Sequence, residues 1–90
     1  MISNITSGEW IASPEEGTTE WRVDAGTWGI AICADFPGDG NVEANARLIA
    51  AAPDLLQALQ LLLIVVDAPD DDPDIVRAKN AVAKATGEPQ

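Results

Sequence analysis

Carboxylates are the main chemistry-bearing side chains of this 90-residue chain, fifteen of them against five lysines and arginines. Two groups are dense enough to be considered as sites. Asp67, Asp70, Asp71, Asp72 and Asp74 crowd one stretch, and Asp35, Asp39 and Glu43 flank a glycine-rich turn. Carboxylates hold a hard cation when they alternate along a loop that also supplies a glycine for its sharp turn. Neither group combines that alternation with the glycine. An acidic linker running into a helix N-terminus explains the first group, and a solvated turn explains the second. Asp35, Asp39 and Glu43 are therefore candidate partner-binding residues, and no metal is expected. Gly38 and Gly40 do not make a phosphate loop, because no lysine follows them and their neighbours are acidic.

Other reaction chemistry is thin. The chain has no histidine and a single cysteine, Cys33. That excludes Ser-His-Asp and Cys-His nucleophile sets and most zinc, haem and iron–sulfur ligand sets. Carboxylate pairs alone support acid–base work only inside a pocket. No catalytic residue, no cofactor and no enzyme activity are expected.

The remaining candidates are binding residues. Trp10, Trp21 and Trp28 are three of only four aromatics. Trp21 and Trp28 sit at strand-core positions. Trp10 is the better candidate for an exposed anchor, since tryptophan is enriched at binding hot spots. Arg47 is the one base in an acidic neighbourhood, placed to pair with Glu43 one helical turn earlier. Asn45 is polar beside an apolar helix face.

The net charge of −10 is uneven. Fourteen acids and two bases, Arg22 and Arg47, lie in residues 1–74, whereas residues 75–90 hold Arg77, Lys79 and Lys84 against Glu88. Such a surface repels nucleic-acid phosphates and attracts a basic protein surface. The first residues lack both a basic region and an apolar run, so no secretory signal is expected and the cytoplasm is the simplest setting.

The elements that must carry these residues follow from pattern. Residues 1–8 are polar and flexible by composition. Glu9–Ser13 reads as a short strand, and Pro14–Thr19 as a loop. In Glu20–Asp24 and Thr27–Cys33 apolar and polar residues alternate, and Ala25-Gly26 between them reads as a hairpin turn. Trp21, Val23, Trp28, Ile30 and Ile32 are expected to form one apolar face. Asn41 caps a helix from Val42 to about Ala51, with Val42, Ala46, Ile49 and Ala50 as its stripe and Leu48 alongside. The residue before proline avoids the α region, so this helix should end or kink near Ala52. A second helix should start at Pro53 and run to about Val66.

That second helix is apolar all round beyond Gln60. At this length it is too short to cross a bilayer. It is expected to be the core or an oligomer seam, with Leu59, Leu62, Leu63 and Val66 as the interface residues. Residues 67–73 form the acidic linker. Asp72 then caps a third helix that runs to about Thr86, with Gly87 as its stop. The expected fold is α+β, a single small domain in which a three-stranded antiparallel meander packs on two to three helices.

The segment Asn45–Leu59, NARLIAAAPDLLQAL, resembles a helical motif of short phage and prophage proteins, roughly ANARLIAAAPELLEAL. In those proteins the helix follows a small β region that opens on a TPGPW-like turn and includes an IA strand. Thr6–Trp10 and Ile30-Ala31 occupy the matching positions here, although both prolines of the turn are absent. The resemblance implies a small accessory protein made inside a bacterium, and it brings no catalytic residues with it. The expected function is therefore non-enzymatic inhibition of a host protein, in antiviral defence such as CRISPR, without direct nucleic-acid or membrane binding and as a homo-oligomer. The alternative is an oligomeric sponge for a small signalling nucleotide, which would need basic residues at a subunit junction.

Overall fold

The computed structural model describes residues 5–34 and 41–87. Its elements are strands β1 (Trp10–Pro14), β2 (Trp21–Ala25) and β3 (Trp28–Cys33), followed by helices α1 (Val42–Val65) and α2 (Pro73–Thr86). The fold is α+β. The chain divides into two compact units, residues 6–52 and a second built on residues 53–87.

The sheet is an antiparallel meander in the order β1-β2-β3. The expected hairpin forms with its turn one residue later, because Ala25 stays in the ladder opposite Trp28. Gly26 opens that turn at φ 62°, the left-handed conformation a tight two-residue hairpin loop requires.

Register explains why the expected apolar face is wrong in part. Val23 pairs with Ala31, but Asp24 pairs with Gly29, so Ile30 is an extra residue on β3. A bulge of this kind breaks the strict alternation of faces. Trp21, Val23 and Ala25 share a face with Cys33, Ala31 and Trp28 across β3, and with Pro14, Ala12 and Trp10 across β1. Ile32 lies opposite Arg22 on the other face and is exposed. Val23 and Ala25 are buried. Trp28, placed in the core by the sequence pattern, is 70% exposed. It closes the ladder at the hairpin end, where the sheet has no further row to cover it.

The helix break expected near Ala52 does not occur. Residues 42–65 form one helix with Pro53 inside it. Proline lacks the N–H that would bond the Ile49 carbonyl, which costs an interior helix about 3 kcal/mol. The run Ala50-Ala51-Ala52 offers the highest helix propensity available, and the leucines beyond it continue the pattern. Along the whole helix, positions 42, 46, 49, 53, 56, 60 and 63 are buried or half-buried. Their spacing of four and three residues makes one continuous inner stripe. It contains the expected Val42, Ala46 and Ile49, with Ala50 half-buried beside it, whereas Leu48 is exposed.

Continuity also corrects the argument from length. At 24 residues, with a mean hydropathy of 1.9 in its most apolar window, α1 is long and apolar enough to cross a membrane by length and composition. Its interior nonetheless carries Asp54, Gln57 and Gln60, and an Asp near a span centre costs about 2.5–3.5 kcal/mol on insertion scales.

Helix α2 forms as its end signals dictate. The Asp72 carboxylate accepts from the Asp74 and Ile75 N–H groups at 2.9 and 3.4 Å, and Pro73 occupies the first turn. Gly87 closes the helix at φ 77°, its N–H bonding back to Lys84 O and Ala83 O. Ile75, Ala78 and Val82 are half-buried, but no residue of α2 is fully buried and Ala85 is exposed.

Candidate functional site

Two polar clusters organise the first unit. On α1, Glu43 and Arg47 are one turn apart, and the carboxylate holds the guanidinium at 2.7 Å through Nη2 and 2.8 Å through Nε. The guanidinium also lies over the Trp21 ring, 5.4 Å from its centroid, within range of a cation–π contact. The expected Glu43–Arg47 pair is thus present, and β2 supplies the aromatic face that steadies it. Arg47 is occupied on two sides by its own chain.

The second cluster lies on the opposite sheet face to Val23. The Arg22 fork grips Asp24 at 3.0 Å through both Nε and Nη2, and Nη1 reaches Glu15 at 3.0 Å. These bonds, to Asp24 first and Glu15 second, raise the guanidinium further above its already high proton affinity. Period-two alternation puts Arg22 and Asp24 on one strand face, so their pairing was readable in the sequence. Glu15 was not, because its approach depends on the loop that returns β1 to β2. Arg22, Gly29, Ile30, Ala31 and Ile32 line an open depression of about 230 Å³ beside this cluster.

The other candidates do not converge. Trp10 is half-buried, and its indole N–H donates to the Thr6 carbonyl at 3.0 Å. Asn45 is exposed, two residues from both Glu43 and Arg47 and therefore on a different side of α1. Asp35 and Asp39 lie outside the described residues. Among the described residues, no group of three or more Asp, Glu, Cys or His side chains is placed to hold a metal ion. The residue that pattern reading missed is Trp28, whose exposure makes it a stronger anchor candidate than Trp10.

Comparison with known proteins adds one finding. The family model for Salmonella phage P22 protein Y8K6 matches residues 1–89. The chain belongs to this family. It is a phage protein, expressed in the host cell, and the match extends over both units, well past the fifteen-residue helical motif. No curated protein and no solved structure matches.

Arg22, Arg47, Arg77 and Lys79 each lie within ion-pair distance of a carboxylate of the same chain. Lys84 sits in the last turn of α2, facing that helix's negative end. Among the described residues these pairs take up Glu15, Asp24, Glu43, Asp70 and Asp74. The carboxylates in excess of these pairs carry the net charge of −10.

Proposed function

We propose that this phage protein is a non-enzymatic binding protein that engages a host protein through its acidic surface. The observation that carries the reading is the internal pairing of four of its five cations. With the cations so paired, the excess of acids gives the chain a negative character suited to a basic protein groove and poorly suited to phosphate. A host factor that handles nucleic acid presents such a groove, and an acidic protein seated there blocks its substrate through complementary charge. Inhibition of an antiviral defence component, a CRISPR effector for example, is the form of this activity that best joins a phage origin to that chemistry. Trp28 supplies an apolar anchor on the sheet.

The alternative of a nucleotide sponge needs cations free to meet phosphates, and the same pairing counts against it.

The test is capture of the tagged chain with its partners from host cells, identification of those partners by mass spectrometry, and titration of the reconstituted complex with salt. The expected partner has a basic face, and affinity falls about tenfold or more between low and physiological ionic strength. A salt-insensitive complex would overturn the charge-driven reading. Thermal stabilisation by cyclic nucleotides would overturn it in favour of the sponge.

A further inference from the structure

Helix α1 carries a second stripe, distinct from the buried one. Taking Asn45 as position a of a heptad, the a positions are Asn45, Ala52, Leu59 and Val66 and the d positions are Leu48, Leu55 and Leu62. The inner stripe occupies positions b and e. All of the a/d residues are exposed except Leu59, which is half-buried, and Leu48, Leu55 and Leu62 are exposed by 63%, 54% and 59%. A helix of a small protein needs one buried stripe. This one has a full second stripe with the 3.5-residue repeat of a coiled-coil seam.

We infer that α1 pairs with α1 of a second copy as a parallel, in-register two-stranded coiled coil. Three features point to a copy of the same chain. The first is charge: the helix's charged residues, Glu43, Arg47 and Asp54, all fall at positions c and f. Two chains of net charge −10 can therefore meet along this seam without a like-charge contact.

The second is the choice of seam residues. Leucine fills every d position, and a single polar Asn at an a position sets register and orientation. Only in the parallel, in-register pairing does Asn45 meet Asn45; antiparallel pairing puts it against apolar side chains. The flanking g positions are Ala44, Ala51, Ala58 and Val65, three of them small enough for close approach.

The third is exposure. Leu48, Leu55, Leu62 and Val66 stand exposed by 63%, 54%, 59% and 38% along one line of the helix, a contiguous apolar strip of the kind that marks an interface.

A lipid surface fits less well. The helix has no basic residue in its last turn and is followed by Asp67 and Asp70–Asp72, whereas membrane helix ends favour Lys, Arg and aromatic anchors and anionic lipid repels acids.

The full chain should sediment as a dimer of its 9.4 kDa protomer, and Leu55→Glu with Leu62→Glu should give a monomer that keeps its tryptophan fluorescence. Orientation is read in a Cys33→Ser background. Oxidised Ala52→Cys, at position a, should cross-link almost completely, while Ala50→Cys, at position f, should remain uncross-linked. Because the Ala52 variant keeps the leucines, it reports even if the glutamate variant unfolds. A monomer at high micromolar concentration overturns the inference. So does a dimer that cross-links equally at both positions, or a monomer that binds vesicles of anionic phospholipid.

Discussion

The Arg47 guanidinium stands 5.4 Å from the Trp21 ring centroid while Glu43 grips its edge at 2.7 Å. One side chain thus ties the first turns of α1 to β2. A double-mutant cycle with Arg47→Met and Trp21→Leu should give a coupling of about 0.5–1 kcal/mol in chemical denaturation, the size of an exposed cation–π contact. Glu43→Gln should cost less than about 1 kcal/mol, because the pair is solvated, and should lose its effect in high salt.

Gly26 tests the hairpin. A Cβ at this position meets nothing within 4 Å, so the cost of Gly26→Ala is the backbone's alone, about 1–2 kcal/mol at its positive φ. Gly26→Asn should recover much of the loss, since Asn tolerates the left-handed region better. Urea midpoints of the two variants, compared at equal slope, decide this.

Pro53→Ala should stabilise the protein. The substitution restores the N–H that the Ile49 carbonyl lacks and removes the ring's clash, and the gain should be about 1–3 kcal/mol. The melting temperature should rise, and helical circular dichroism should not fall. A loss of stability would mean that the ring's packing on the inner stripe outweighs its backbone cost.

Removing the Asp72 cap should act locally. Asp72→Ala frees the N–H groups of Asp74 and Ile75 and should cost about 1 kcal/mol. Hydrogen exchange should accelerate through Ile75–Ala78 and leave β2 unchanged, because α2 has no fully buried residue through which to spread the damage.

Much of this architecture was legible in the sequence because its signals are local. The hairpin was marked by alternation on both sides of Gly26, and α2 by Asp72-Pro73 before it and Gly87 after it. The Glu43–Arg47 pair needed only helical spacing. What could not be read depends on competition or on register. Whether Pro53 ends a helix depends on what the residues on either side gain by continuing it. The face of Ile32 depends on the bulge at Ile30, which no residue type announces. The grip of Glu15 on Arg22 depends on a loop's path, and Asp35 and Asp39 lie outside the described residues.

The bulge at Ile30 has a consequence for the open edges of the sheet. A three-stranded meander leaves two open edges, and a flat open edge templates the addition of strands from other molecules. The extra residue breaks the regular row of donors and acceptors along β3, and Pro14 removes a donor from the end of β1. Both margins of the sheet are thereby poor substrates for runaway strand addition from a second molecule.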